Sequence, residues 1–266
     1  MGSLDKQIVD AVRENKLLEV KSLLLQGASV NAKDDKGDPI LLIATQQKNI
    51  ILVKLLISSG ATPHDGNAYQ VTALIIAIRN SQDTNSALIA NALLQACRGV
   101  PVPQGTITQC IVECGLGSDS IADEQADRKT SEYLGQLLGL DGINLDERES
   151  ESESNDATLL HILVAQKYYQ SATLLINHGA SPSSKDKNGR TPAHYIAKIG
   201  RYAMDEGEGG QDWEDVEFSR SEFNLLQLML QNGANLSDKD VNGVTVRELL
   251  QERIPVPVLL SNLVMQ

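Results

Sequence analysis

At 266 residues the chain has the length of one or two domains and ample material for a large core, which excludes a disulfide-stapled miniprotein. Its formal net charge is −12, and two short segments carry the whole excess: residues 141–156 hold seven acidic residues against Arg148, and residues 203–217 hold seven and no base. The remainder is close to neutral, which excludes a general nucleic-acid-binding surface, and with aromatics at only 3% the core must be built of Leu, Ile, Val and Ala, favouring packed helices over a β-sandwich.

From the N-terminus, MGSLDKQIVDAV lacks the apolar core of a secretory signal. The segment LLLQGASVNA (Leu23 to Ala32) then returns as LLISSGATPH (Leu55 to His64), LLINHGASPS (Leu174 to Ser183) and LMLQNGANLS (Leu228 to Ser237). Gly27 and Gly60 stand 33 residues apart. Each segment reads as the end of a helix stopped by glycine, which adopts φ > 0 without strain. In the last of them Leu225, Leu226, Leu228, Met229 and Leu230 make a broad apolar surface before Gly233.

A second marker comes from tetrapeptides: TLLH at 158–161 and TPAH at 191–194 place His161 and His194 again 33 residues apart. Thr191-Pro192 opens a helix where the missing N–H of proline costs nothing, and Ala193, Ile196 and Ala197 follow at helical spacing. The same slot reads DPILL at 38–42 and TALI at 72–75, turns expected to be less rigid. Between 102 and 153 the period is weakest: GTITQCIVEC (Gly105 to Cys114) is expected as a first helix, 115–128 as a polar loop, and TSEYLGQLLGLDGINLD (Thr130 to Asp146) as the second helix.

These markers resemble the ankyrin repeat, a 33-residue unit of β-turn plus two antiparallel helices, and DKNGRTPAHYIAKIG (Asp186 to Gly200) is the fullest match. The resemblance implies an all-α ankyrin-repeat solenoid of stacked helix-turn-helix units with β-turn tips. It implies one domain over 1–266 with about seven units at roughly 1–33, 34–66, 67–101, 102–153, 154–186, 187–240 and 241–266. One such unit cannot bury its own apolar face, so stability is expected to come from stacked neighbours. Insertions must then leave the stack, and loops are expected near 80–86, 115–128, 146–156 and 203–220. The last carries the only tryptophan, and WEDVEF has the spacing of a short amphipathic helix presenting Trp213 and Phe218. An acidic run is most simply a solvated loop; the alternative gives Trp213 an interface role.

In stacks of this kind the tips and first helices line a concave surface. The resemblance therefore points to Asp35, Lys36, Asp38, Gln46, Gln47, Tyr69, Gln70, Arg79, Gln166, Lys187, Asn188, Arg190, Lys198, Arg201 and Tyr202 as partner-binding residues, with Trp213 beside them. The basic members near 187–201 serve equally well to neutralise the adjoining acidic insertion.

Chemistry is not expected. His161 and His194 fall where this family places a hydrogen-bonded structural histidine, and His64 and His178 are expected to face solvent. Cys110 and Cys114 share a helix face, yet no CxxC or HxxxH supplies the other zinc ligands; these two and Cys97 read as small buried apolar residues in a reducing setting. DEGEGGQDWEDVE fails as a calcium loop because glycines hold its third and fifth ligand places, and GLGS at 115–118 lacks the continuation that cradles phosphate.

The expected function is therefore a non-enzymatic, cytoplasmic recognition scaffold, without cofactor or metal, for a protein or peptide rather than nucleic acid. No apolar stretch reaches the ~20 residues of a membrane span. Two alternatives stand: an adaptor domain of a longer, catalytic protein, or a module similar to the ankyrin effectors that intracellular bacteria deliver into the host cytosol. The apolar tail IPVPVLLSNLVMQ (Ile254 to Gln266) leaves back-packing, self-association and continuation of the chain open.

Overall fold

The computed structural model describes residues 3–81, 83–100, 105–115, 124–140, 143–148, 155–198 and 219–252. They form helices α1 (Ser3–Arg13), α2 (Leu17–Leu25), α3 (Ile40–Gln46), α4 (Ile50–Ser58), α5 (Ala73–Arg79), α6 (Thr84–Ala96), α7 (Thr106–Gly115) and α8 (Glu124–Leu137). They continue as α9 (Leu159–Ala165), α10 (Tyr169–Asn177), α11 (Pro192–Lys198), α12 (Arg220–Gln231) and α13 (Val246–Gln251). The chain divides into two compact units: Met1–Ser118 with Gly135–Ile143, and Asp119–Leu134 with Asn144–Gln266.

In the first unit α1, α3, α5 and α7 pack in sequence as one layer, while α2, α4 and α6 each return against their own partner as a second. Within the second unit α9, α11 and α13 form the first layer and α10 and α12 the other. The inner-layer helices are short and buried almost all round, because a repeat lies on either side. Ile40, Leu41, Leu42, Ile43, Ala44 and Thr45 of α3 are all buried, and α5 and α9 repeat the pattern. Each fully buried Leu or Ile contributes about 1.5–3 kcal/mol, so adhesion between repeats is the main source of stability.

The glycine stops are realised as one motif. After α2, the N–H of Gly27 bonds the carbonyl of Leu24 at 3.1 Å and that of Ala28 reaches back to Leu23 at 3.0 Å, with Gly27 at φ 93°. The same pair of bonds closes α4, α10 and α12. A Cβ on Gly27, Gly60 or Gly179 would meet nothing within 4 Å, so glycine is required there by backbone conformation and not by space.

Several expected boundaries move. Residues 80–86 do not stay a loop: α6 starts at Thr84, with the Asp83 side chain accepting the N–H of Ser86, so the extra residues mostly lengthen this helix to 13 residues against nine in α4. Of the polar segment 115–128, Glu124 to Arg128 are already the first turns of α8. Ser219 and Arg220, expected within the 203–220 insertion, are the cap and first residue of α12. WEDVEF, Arg201, Tyr202 and the tail 254–266 lie outside the described residues, as does most of 146–156.

Candidate interaction surface

Hairpin tips join one repeat to the next, and one device builds four of them. Asp34 Oδ1 accepts the N–H groups of Lys36 (2.9 Å) and Asp38 (2.8 Å). Asn67, Asp186 and Asp240 do the same for the residues two and four ahead. A short side-chain acceptor that gathers two backbone donors fixes a turn without any hydrophobic contact. Burial pushes the Asp34 carboxyl up, but the Asp38 and Lys36 N–H groups and the Arg13 guanidinium together outweigh it, and the net shift is downward. Asp240 is lowered in the same way by Val244 and Asn242 N–H groups, with Lys198 and Arg190 adding to them. This repeated Asx position is legible in the sequence only once Asp34 and Asn67, Gly27 and Gly60 are set on one 33-residue ruler.

Neighbouring tips are zipped together. In the first unit Asn67 Nδ2 donates to Asp38 Oδ1 at 2.8 Å, Lys33 Nζ donates to the Gly66 carbonyl at 3.0 Å, and Arg13 pairs with Asp34 at 2.6 Å. In the second unit Lys187 N–H donates to the Asn155 carbonyl at 2.8 Å and Val241 N–H to the Asn188 carbonyl at 2.9 Å. Arg190 Nε lies 3.8 Å from Asp240 Oδ2.

The two histidines join this zipper. The N–H and hydroxyl of Thr158 both point to His161 Nδ1, at 3.2 and 2.8 Å, so Nδ1 is the acceptor and the proton sits on Nε2. From there His161 donates to the Arg190 carbonyl of the following tip at 3.0 Å. His194 repeats the arrangement with Thr191, at 3.0 and 2.9 Å, and with the Val244 carbonyl at 3.4 Å. Burial lowers both imidazole pKa values, which keeps the neutral tautomer that the geometry needs.

Against this frame, Asp35, Lys36, Gln46, Gln70 and Arg79 are exposed in the first unit, and Tyr69 is 83% exposed at the crest of its tip, its backbone N–H held by Asn67 Oδ1 at 3.0 Å. Asp38 and Gln47 are half-buried and tie hairpins together, Asp38 through Asn67 and Gln47 by donating from Nε2 to the Arg13 carbonyl at 2.8 Å. In the second unit Gln166 and Lys187 are exposed, Asn188 and Lys198 half-buried, and Arg190 is engaged with the next tip.

On the second layer of that unit, α8, α10 and α12 enclose an open groove of about 370 Å³ whose lining includes Tyr169 and Leu174 together with Ser131, Thr173, Asn177 and Asn224. Next to it Asp127 of α8 is buried and serves as a cap for α10. Its carboxylate accepts the N–H of Gln170 (2.7 Å), the N–H of Ser171 (3.0 Å) and the hydroxyl of Ser171 (2.7 Å). This role is invisible in the sequence, because cap and helix are far apart in the chain.

His64 is half-buried and lies with Nδ1 3.9 Å from the Cys97 sulfur, contrary to the solvent-facing position expected of it; His178 is exposed. Burial drives the Cys97 thiol up to about 12 and the His64 imidazole down, so both groups are held neutral. A thiol nucleophile needs the opposite, a lowered thiol pKa beside a base. Cys110 is buried, and no group of three His, Cys, Asp or Glu side chains among the described residues has the proximity to hold a metal ion. No described helix is long and apolar enough to cross a membrane.

Layered helical hairpins, Asx-built tips and Thr-His links together define an ankyrin-repeat structure. Residues 8–99 match the ankyrin-repeat family profile in three copies. Among solved structures it is similar to the crystal structure of the human ASB11 ankyrin repeat domain (TM-score 0.57, 19% identity, 96% of each chain covered). It is also similar to the ankyrin repeat domain of Bcl-3, a member of the IkappaB protein family (TM-score 0.58, 16% identity, 91% of this chain and 92% of that one). In sequence it resembles the mitochondrial disaggregase of Homo sapiens, 26% identical over 201 residues, or 72% of this chain. The Bos taurus protein of that name is 29% identical over 106 residues, 36% of this chain. The chain spans only 24% and 16% of the lengths of these two relatives.

Proposed function

We propose that this chain is a recognition module that grips a protein or peptide with the surface made by its hairpin tips and first-layer helices, without catalysing a reaction. The observation that carries the reading is Tyr69: a large aromatic side chain, 83% exposed, on a turn whose backbone is already fixed by Asn67. Aromatic residues on rigid supports contribute most to binding, because little conformational freedom remains to be lost. Asp35, Lys36, Gln46, Gln70 and Arg79 supply the surrounding polar rim, and Gln166, Lys187, Asn188 and Lys198 supply the corresponding groups of the second unit. Arg201, Tyr202 and Trp213 are assigned to the same partner on sequence grounds. Asp38, Gln47 and Arg190 act by holding the surface in shape.

A photocrosslinking phenylalanine analogue in place of Tyr69 should capture the partner in cells, while the same analogue at Asn224 should not. With that partner purified, Tyr69→Ala is expected to weaken binding at least tenfold while leaving the circular dichroism unchanged. Equal capture from both positions, or unchanged affinity, ends the reading.

A second reading, in which the module is the adaptor of a longer chain, rests on the partial match to the disaggregases, which are several times longer than the stretch they share with it. Immunoblotting of the endogenous product decides it: a band no larger than 266 residues allow would remove it. The recognition reading places the module in the cytoplasm, and the adaptor reading allows the mitochondrion. Imaging of the tagged natural gene product separates the two.

A further inference from the structure

The second-layer helices of the first unit carry a row of exposed apolar side chains at equivalent positions: Leu18 of α2 (81% exposed), Ile51 of α4 (63%) and Leu88 of α6 (49%). Leu18 and Ile51 each stand nine residues before the glycine that closes their helix. The repeat itself does not call for an apolar residue there, because the same position in the second unit is Gln170 in α10 and Asn224 in α12, both exposed. Single exposed apolar residues are ordinary, but a row in register across three adjacent helices is a patch.

The helices that carry the row lie side by side. Asn49 Nδ2 donates to Asn15 Oδ1 at 3.0 Å at one end of the α2–α4 pair, and Thr62 N–H donates to Asn31 Oδ1 at 2.9 Å at the other; α6 packs directly on α4. One turn further along their helices, Lys21 and Lys54 are exposed and form no ion pair among the described residues. An apolar row is thus bordered by two unneutralised cations.

We infer that this outer face binds an acidic amphipathic helix of a partner protein, laid across α2, α4 and α6. Packed helices stand about 8–10 Å apart, and seven residues of an α-helix advance about 10.5 Å, so a crossing helix meets one apolar side chain of the row every two turns. Its pattern is therefore apolar at every seventh position, with Glu or Asp about one turn away, facing Lys21 and Lys54. Apolar burial supplies affinity, and the charge pair fixes which way the helix lies. This face is separate from the one that carries Tyr69, so either assignment can fail alone.

Three labelled 21-residue helical peptides test it against the full chain by fluorescence anisotropy: leucine every seventh residue with a glutamate flank, the same with a lysine flank, and a scramble of the first. The acidic peptide should bind at least tenfold more tightly than either control. Replacing Leu18, Ile51 and Leu88 by the amides found in the second unit (Leu18→Asn, Ile51→Gln, Leu88→Gln) should weaken it by about 30-fold or more, and Lys21→Glu with Lys54→Glu by about tenfold. Circular dichroism and thermal melting of both variants should match the wild type. Equal binding of acidic and basic peptides, or no loss in either variant, overturns the inference. So does light scattering that shows a wild-type dimer dissolved by the triple amide variant, because a second copy would then be the occupant.

Discussion

The two units bind their repeats together by different chemistry. In the second, His161 and His194 run hydrogen bonds from a threonine in one repeat to a carbonyl in the next tip. In the first, the corresponding positions are Leu42 and Ile75, fully buried aliphatic side chains, and Thr72 caps its own helix through the Ile75 N–H at 3.3 Å. At these two positions the first unit relies on apolar packing, which does not respond to pH. The second adds direction to the contact but makes it depend on a neutral imidazole. A shared fold therefore hides two kinds of cohesion.

Helix caps allow the largest test of this contrast. Asp127 caps α10 from another helix and accepts three hydrogen bonds inside the second unit, whereas α4 in the first is capped by its own Asn49, through the Leu52 N–H at 3.1 Å. Asp127→Ala should cost about 2–3 kcal/mol, because buried donors lose a charged acceptor, and Asn49→Ala about 1 kcal/mol. Urea titration followed by circular dichroism measures both; equal losses would refute the distinction.

Acid provides the next test. Burial holds the pKa values of His161 and His194 below the ordinary value of about 6.5, so below that pH the unfolded chain takes up protons that the native second unit refuses. Stability of the second unit is therefore complete above about pH 6.5 and declines as pH falls beneath it. His64, half-buried and also lowered, puts a smaller effect of the same sign into the first unit. Hydrogen exchange, corrected for its intrinsic pH dependence, should show α9 and α11 losing more protection than α3 and α5 on moving from about pH 7.5 to about 5.5. His161→Gln with His194→Gln should flatten that difference, and a slope that survives in the double variant would remove the histidines from the explanation.

The smallest effect compares one tip with its neighbours. The fourth position of the tip is Gly37, Gly189 and Gly243 in three of them and Gln70, at φ 59°, in the other. Gln70→Gly should stabilise the chain by about 0.5–1 kcal/mol, because a left-handed residue with a Cβ is strained. An unchanged or lower melting temperature would show that the Gln70 side chain offsets the strain.

Much of this architecture is legible in the sequence. The glycine ruler locates the ends of α2, α4, α10 and α12, where φ lies between 91° and 101°, and Thr-Pro opens α11, because both are local signals carried by residues of unusual backbone preference. Residues 80–86 and 124–128 are less legible: polar residues are equally at home in a loop and on the exposed face of a helix, and at 80–86 the choice of helix rests on the geometry of the Asp83 cap. The candidate surface is half legible. The resemblance of the repeats points to Tyr69, Gln46 and Lys187, which are exposed, but nothing in a one-dimensional pattern shows that Asp38 and Arg190 face the next repeat. Asp127 and the His64–Cys97 approach depend on segments remote in the chain, which no local pattern records.

The empty space around Gly27, Gly60 and Gly179 has a chemical corollary. What these positions reject is the handedness of an ordinary side chain, not its bulk. A mirror-image alanine, introduced by chemical ligation, would sit in the same backbone well unopposed while restricting the denatured chain, and so would strengthen helix endings that no genetically encoded substitution can improve.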